Sequence, residues 1–442
     1  MKKITSKKKL LLYGCSGMGV NMLTLMVGSY LCSALLIGGF DEHIESWTYL
    51  NKDLVVAGLW AVLVFVAKAF DGLIDLPLST LADKMHSKLG RRKTALLIGF
   101  IPMIVAYLLF LVPLNTSATI LNTVWFGVLL CVFYSFYTLT MLTFYATFSE
   151  VCDSEQDMVF LSNVKSVCDV VYFILGFALI PVFVGMGVNI RIIALIFLPL
   201  SLTMMIPFFL LKENGEDKGE VRSLTLKTAL STSFKNKPFI IWMVAMFMMK
   251  IGLELFLGGI NELFSSTGLD MTIVMASSFV PVPFTLILYN YIVKRKGLGF
   301  AFRYILSIFS VGMIIMFVCT KLSDSLSPFQ LTLIAIFGGI LVSFAIGAFF
   351  SVTYTVPSHI AQRENETSGK SIASMIFAVQ GLFEGIASGI ATGFILVTLK
   401  DFQMISILPL IVALCCMMAF GFSFVFPKTI AFMGKDKEKG KE

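Results

Sequence analysis

The stretch KENGEDK, residues 212–218, opens the longest polar interval of the chain, which runs from Lys212 to Lys237. Apolar runs of helical length lie on both sides of this interval, six before it and six after it. Each run is near or above the roughly 20 residues that a helix needs to cross a bilayer. The sequence therefore predicts an all-α membrane protein with twelve transmembrane helices in two six-helix bundles.

The boundaries of these helices follow from the apolar runs. We expect helices at residues 9–38, 55–82, 94–113, 120–148, 159–185, 190–211, 237–264, 270–293, 300–320, 328–356, 371–399 and 403–427. The first bundle then covers residues 1–211, the polar linker 212–236, the second bundle 237–427 and a Lys-rich tail 428–442.

The composition excludes a water-soluble protein. Of the 442 residues, 57% are hydrophobic and only 14% are charged, whereas soluble domains carry about 25% charged residues. The formal net charge of +7 is the excess of 34 Lys and Arg over 27 Asp and Glu. Most of the Lys and Arg fall on the side of the predicted membrane that holds both termini. By the positive-inside rule that side is the cytoplasm. The basic charge therefore indicates topology and does not indicate binding to a nucleic acid.

Three charged residues lie inside the second predicted helix. Asp71 and Asp75 are four residues apart, so they share one face about 6 Å apart along the axis, and Lys68 lies one turn earlier. Charged groups at this depth are functional candidates because they are costly to bury in lipid. The net single negative charge predicts either a bound cation or a proton on one carboxylate. The alternative is an ion cluster that only orients helices.

Further ionisable residues lie in the predicted second bundle. Lys250 and Glu254 are four residues apart on the seventh helix, so they either pair with each other or contact a substrate. Glu384 lies in the middle of the eleventh helix, and its neighbours in the sequence suggest no partner for it. We therefore expect Glu384 to face a substrate cavity.

The loop after the second helix combines an acidic residue, a glycine turn and an arginine pair. These are Asp83, Gly90, Arg91 and Arg92. Such a loop can hold one arrangement of the helices and release it in another. We predict a gating role, although an ordinary positive loop would also account for the two arginines.

The pattern Lys-x-x-Asp-x-x-x-Asp from Lys68 to Asp75, followed by the loop ending in Gly-Arg-Arg, resembles the glycoside–pentoside–hexuronide:cation symporters, the family of melibiose permease within the major facilitator superfamily. The resemblance implies that Asp71 and Asp75 bind the coupling cation, with Lys68 as the nearby basic residue. It also implies that Thr138 on the fourth helix joins the cation site. The family's Asn between the two carboxylates is Ile74 here.

The resemblance also implies substrate residues. The sugar-binding carboxylate of the first helix aligns with Asn21, and the stacking Trp of the fourth helix aligns with Tyr145. Asn21 could instead join helices by hydrogen bonds, and Tyr145 could pack at an interface. The expected function is symport of Na⁺ or H⁺ with a sugar or glycoside-like solute by alternating access. The alternative is a non-sugar solute such as a lysolipid or an organic acid, because sodium-dependent lysolipid symporters share the second-helix signature.

Other classes of function lack support in the sequence. It contains neither a zinc-protease nor a serine-hydrolase motif, and no phosphate-binding loop for ATP. We therefore expect no enzymatic activity and no cofactor beyond the coupling cation. The expected partners are a small-molecule substrate, that cation and the lipid bilayer, and the expected form is a monomer in a bacterial cytoplasmic membrane.

Overall fold

The computed structural model of the chain is helical. It describes residues 3–84, 87, 89–153, 155–213, 231, 234–265, 271–323, 325–368 and 373–434. Within these residues twelve helices are long and apolar enough to cross a membrane, and no strand occurs. The predicted all-α fold with twelve membrane-spanning helices is confirmed.

The twelve helices are numbered here in chain order. They are α1 (Lys7–Leu35), α2 (Ala57–Lys84), α3 (Arg91–Phe110), α4 (Ile120–Val151), α5 (Glu155–Gly185), α6 (Ile190–Leu210), α7 (Lys237–Ser265), α8 (Thr272–Lys296), α9 (Leu298–Leu322), α10 (Pro328–Ser368), α11 (Val379–Asp401) and α12 (Ile405–Ser423). A short helix, Ile44–Trp47, lies between α1 and α2.

Several of these helices are less regular than the apolar runs predicted. A π-helical segment interrupts α1 at Met26–Leu31 and α11 at Ile390–Ile395, and Leu198–Met204 in α6 is a 3₁₀ segment. In α8 the helix breaks near Pro281, because proline cannot donate a backbone hydrogen bond. The first helix ends at Leu35, three residues before the predicted end, so residues 36–38 belong to the following loop.

The chain forms two compact units. Unit 1 comprises Met1–Ile37 and His43–Leu224, and unit 2 comprises Gly38–Glu42 and Thr225–Glu442. Most of the predicted linker 212–236 and the end of the predicted tail 428–442 lie outside the described residues.

The same packing order recurs in both units. In unit 1, α4 packs on α2 and α3, and α1 packs on α5 and α6. In unit 2, α10 packs on α8 and α9, and α7 packs on α11 and α12. Each pairing in unit 1 thus has its counterpart six helices later, as expected for two repeats of one bundle.

Helix α2 separates an apolar stripe from its charged residues. Four exposed side chains, Val62, Val66, Phe70 and Leu73, follow the spacing i, i+4, i+8, i+11. At 100° per residue, Asp71 lies about 140° around the helix from the centre of this stripe. The apolar face suits lipid, and the charged face is left for the interior of unit 1.

Candidate functional site

Two contacts between α2 and α4 build the first candidate site. The Thr138 hydroxyl donates a 2.7 Å hydrogen bond to Oδ1 of Asp71. One turn away, Lys68 Nζ lies 4.2 Å from the centre of the Tyr134 ring. Residues 134 and 138 of α4 thus face residues 68 and 71 of α2, because four residues make one helical turn. The structure brings together the two elements that the second-helix signature and the fourth-helix alignment indicated.

Asp75 completes the set one turn beyond Asp71. Both carboxylates are half-buried, whereas Thr138 is buried. On the same side of α2, Leu78 packs against a buried pair formed by Ala95 of α3 and Leu139 of α4. This apolar layer lowers the local dielectric constant and so strengthens electrostatic interactions with the carboxylates.

Oxygen atoms are the ligands that this site offers. Two carboxylates and a hydroxyl suit a hard cation such as Na⁺, and a carboxylate can instead take up a proton. Among the described residues, no group of three or more His, Cys, Asp or Glu side chains is arranged to hold a metal ion.

A second polar cluster joins α1, α4 and α5 within unit 1. Asn21 donates from Nδ2 to Oδ1 of Asp169 at 3.2 Å, and its Oδ1 accepts from the Tyr137 hydroxyl at 3.1 Å. Oδ2 of Asp169 forms an ion pair with Lys165. The Lys165 ammonium also lies 5.2 Å from the centre of the half-exposed Tyr145 ring. Asn21 and Tyr145, predicted separately, thus belong to one network.

A third cluster lies in unit 2 between α7 and α11. Lys250 Nζ lies 2.9 Å from Oε1 of Glu254 and 3.7 Å from Oε2 of Glu384. Oε2 of Glu254 accepts from Ser388, and Oε1 of Glu384 accepts from Gln380 at 2.7 Å. One ammonium therefore bridges two carboxylates from two helices, and the cluster carries one net negative charge.

Gln380 holds Glu384 in place. Its Nε2 also donates to the carbonyl of Thr353 on α10, while its Oε1 accepts from the indole of Trp242 on α7. The expectation that Glu384 has no nearby partner in the sequence is wrong, because Gln380 precedes it by one helical turn. The partner one turn earlier is a neutral amide and not a charged residue.

The predicted gating loop contains a carboxylate contact that the sequence did not indicate. Both carboxylate oxygens of Glu213 accept from the backbone N–H of Arg92, at 3.1 and 3.0 Å. A negative charge at the start of α3 is favourable because the N-terminus of a helix carries a partial positive charge. Gly90 adopts a φ of +98°, and a Cβ there would lie 2.0 Å from Glu213 Oε2. Only glycine fits this turn.

The remaining members of that loop are less fully described. Arg92 is buried and Arg91 is half-buried at the start of α3. Asp83 lies in the last turn of α2, but its side chain lies outside the described part of the structure. Among the described residues, Glu213, which follows α6, accepts from the backbone N–H of Arg92 in the Gly90–Arg92 turn. The sequence contains one signal that could have indicated this contact: Glu213 is the first acidic residue after the apolar run of α6.

The family of the chain follows from comparison with known proteins. A family model described as MFS/sugar transport protein matches residues 12–424. The chain belongs to this family. It is therefore a multi-pass membrane transporter of the major facilitator superfamily (MFS) rather than an enzyme, and its substrate is a small molecule. A search of curated proteins found no match.

Solved MFS structures share the fold of this MFS transporter. A mutant of the nucleoside transporter NupG is 17% identical to this chain, with a TM-score of 0.64. The match covers 95% of this chain and 100% of the NupG chain. A bacterial homologue of the human lysosomal transporter Spinster, in an inward-facing and unoccupied conformation, is 12% identical to this chain, with a TM-score of 0.57. The match covers 98% of this chain and 100% of the homologue's chain. At these identities the likeness establishes the fold alone.

Proposed function

We propose that this MFS transporter is a secondary carrier that couples the entry of Na⁺ or H⁺ to the uptake of a sugar or glycoside-like solute. The observation that carries the proposal is the 2.7 Å contact between Thr138 and Asp71. It joins two helices of unit 1 at a carboxylate that shares its helix face with a second carboxylate and one lysine. That set has one negative charge in excess, and a cation or a proton would neutralise it.

The coupling cation would bind to Asp71, Asp75 and Thr138, with Lys68 as the neighbouring basic residue. Lys68 tunes this site by repulsion, because its ammonium disfavours a second positive charge nearby. When a cation neutralises the carboxylates, the penalty for moving uncompensated charge through the transport cycle falls. A cation moving down 100 mV supplies about 2.3 kcal/mol, enough for roughly fifty-fold accumulation of the solute.

Two groups of residues would recognise the solute. In unit 1, Asn21 offers an amide for solute hydroxyls, and Tyr145 offers an aromatic face on which a sugar ring can stack. In unit 2, Lys250, Glu254 and Glu384 offer charged donors and acceptors. Asn21 already bonds to Asp169, and Lys250 already pairs with Glu254 and Glu384, so a polar solute would exchange these interactions for its own. Exchange of this kind gives selectivity, since a solute that lacks a matching group leaves a buried partner unpaired.

The loop between α2 and α3 would control the change of access. Asp83, Gly90, Arg91 and Arg92 would form the gating motif. The contact between Glu213 and the backbone of Arg92 supports it, because this contact ties the end of α6 to the start of α3. A motion that separates these two ends must break it.

The decisive experiment measures thermal stabilisation of the purified protein by sugars, sugar acids, nucleosides and lysolipids, each with and without Na⁺ and at several pH values. We expect a sugar or glycoside to raise the unfolding temperature only when Na⁺ is present or when the pH permits protonation. The variants Asp71→Asn and Asp75→Asn should abolish that dependence. Asp401→Asn is the matched control, because Asp401 is exposed at the end of α11.

Each outcome separates one part of the proposal from another. Stabilisation that depends on pH but not on Na⁺ identifies a proton as the coupling ion. Stabilisation by lysolipids or nucleosides alone replaces the sugar with another solute class. If both aspartate variants keep the cation and pH dependence of the parent protein, the proposed coupling site is wrong.

A further inference from the structure

Two cysteines from different helices lie side by side within unit 1. Sγ of Cys168 on α5 lies 3.2 Å from Sγ of Cys15 on α1, although 153 positions separate the two residues in the chain. Cys168 is buried and Cys15 is half-buried, and both are free thiols. A disulfide has an S–S distance of about 2.05 Å, so the two sulfurs need to approach by only about 1.1 Å to bond. Small rotations about the two Cα–Cβ bonds can supply that approach.

Contacts on both sides of the thiols fix the register of α1 against α5. Toward the N-termini of both helices, a Cβ atom at Gly14 would lie 2.7 Å from Cγ1 of Val164, so glycine permits a close approach of the two helices. Toward their C-termini, Asn21 donates to Asp169 at 3.2 Å. In the two polar contacts the residue on α5 stands 153 and 148 positions after its partner on α1. The thiols therefore meet at one level of a parallel helix pair that is held together above and below them.

Charged side chains lie at the same level of α5. Lys165 and Asp169 stand three residues before and one residue after Cys168, and their side chains are 25% and 28% exposed. Because charged groups are costly to expose to lipid, this level of the helix pair faces water or polar headgroups. A small polar oxidant can therefore reach the half-buried sulfur of Cys15 before the buried sulfur of Cys168.

We propose that Cys15 and Cys168 form a redox modification site, at which a low-molecular-weight disulfide oxidises the two thiols to a disulfide between α1 and α5. The thiolate of Cys15 attacks one sulfur of the oxidant and releases its first thiol, which leaves a mixed disulfide on Cys15. Cys168 then attacks Sγ of Cys15 and releases the second thiol. One disulfide is cleaved and one is formed, and the two cysteines pass two electrons and two protons to the oxidant.

The adjacent residues Cys415 and Cys416 of α12 show why geometry matters for this assignment. One of them is half-buried and the other buried, as in the pair on α1 and α5. Their Cα atoms are consecutive and so lie about 3.8 Å apart, below the roughly 4.4–6.8 Å that disulfides span. The helix also turns by about 100° between them. We therefore expect these two thiols to stay unlinked, as buried cysteines that serve as small apolar side chains.

The modification acts on the helix pair itself. A bond at this level would hold α1 against α5 next to the contact between Asn21 and Asp169, and it should stabilise unit 1 against thermal unfolding. Its formation requires neither a solute nor a coupling cation. The inference is therefore independent of the proposed function.

Oxidation of the native protein tests the proposal without any substitution. The full-length chain in lipid nanodiscs is treated with oxidised glutathione, free thiols are blocked with N-ethylmaleimide, and peptides are analysed by mass spectrometry without reduction. We expect a peptide pair linked through Cys15 and Cys168 that dithiothreitol separates, whereas Cys415 and Cys416 carry maleimide. The unfolding temperature should rise on oxidation and return to its starting value on reduction.

Two cysteine variants test the order of attack. Cys168→Ser should stop at the mixed disulfide, with glutathione attached to Cys15, because the second nucleophile is missing. Cys15→Ser should leave Cys168 reduced and open to the maleimide only after denaturation. Cys416→Ser is the matched control and should not change the rate at which Cys15 and Cys168 become linked.

A glycine variant tests the role of the helix register. Gly14→Ala places a methyl group against Val164 and should slow the linkage about tenfold, the low end of the cost of overpacking. Gly58→Ala is its control, since a Cβ atom at Gly58 meets no atom within 4 Å, and it should leave the rate unchanged. The proposal is overturned if the native protein yields no linked peptide, if Cys415 and Cys416 are oxidised as fast as Cys15 and Cys168, or if the two alanine variants link at the same rate.

Discussion

The cluster on α2 and α4 in unit 1 and the cluster on α7 and α11 in unit 2 contain the same charges in different arrangements. Each has two carboxylates and one lysine. On α2 all three charges lie on one helix within two turns, and α4 supplies the Thr138 hydroxyl. In unit 2 the carboxylates of Glu254 and Glu384 come from two helices, and Lys250 lies between them.

In our proposal the cluster of unit 1 binds the coupling cation, whereas the cluster of unit 2 links two helices by ion pairs. In unit 2 the charges join α7 to α11, and neutral donors satisfy the second oxygen of each carboxylate. In unit 1 the carboxylates share a helix face, and such a pair can turn its oxygens toward one ion without changing how helices pack. Loss of a charge should therefore reduce stability in unit 2 and alter ion affinity in unit 1.

The largest effect is expected from Lys250→Met. This change leaves two carboxylates close together without their cation, and breaking a buried pair costs about 3–5 kcal/mol. We expect the low end, about 3 kcal/mol, because the three side chains remain 17–23% exposed. Thermal unfolding in detergent measures the loss.

The control for that change uses the other cluster. Lys68→Met also removes a lysine beside two carboxylates, but it should mainly increase stabilisation by added Na⁺, since it removes a repulsive charge from the cation site. The double variant Lys250→Met/Glu254→Gln restores the original net charge and should recover much of the lost stability. If Lys250→Met unfolds at the parent's temperature, the cross-link interpretation of unit 2 is wrong.

The sequence predicted contacts along a helix better than contacts between helices. The pairing of Lys250 with Glu254 follows from their spacing of four residues, and the twelve spans follow from apolar length. The bond between Asn21 and Asp169 joins residues 148 positions apart, and spacing carries no information about such a pair. Thr138 was linked to Asp71 only through resemblance to a family, because helix register in three dimensions is set by packing.

Contacts made by irregular segments have no periodic signal in the sequence. The segment Gly38–Glu42 has no helical pattern, and its interaction with Ser265 depends on backbone N–H groups that every residue except proline possesses. The sequence predicts a polar linker at Glu213 and gives no periodic signal for the position of its carboxylate, which lies at the start of α3. Glu262 lies in an apolar run, where an acid is itself a signal of a paired or functional group, and in the structure it pairs with Lys400.

An intermediate effect is expected from Thr138→Val, which keeps the shape of the side chain and removes the hydroxyl. A hydrogen bond to a charged group contributes about 1.5–3 kcal/mol. At the low end of this range, we expect the concentration of Na⁺ needed for half-maximal stabilisation to rise about tenfold. Thr138→Ser is the matched control, because it retains the hydroxyl and should remain near the parent value. If the valine and serine variants need the same concentration of Na⁺ for half-maximal stabilisation, Thr138 is not part of the proposed cation site.

The smallest effect is expected from Ser388→Ala, the counterpart of that change in unit 2. Ser388 donates to Glu254 at 3.0 Å, slightly longer than the 2.7 Å between Thr138 and Asp71. Its removal should lower stability by about 1 kcal/mol, since Lys250 still holds the other oxygen of Glu254. The dependence of unfolding temperature on Na⁺ and on pH should not change, because in our proposal this hydroxyl positions a cross-link and binds no ion. A shift in either dependence would mean that the carboxylates of unit 2 also take up the coupling ion, and the distinction between the two clusters would then fail.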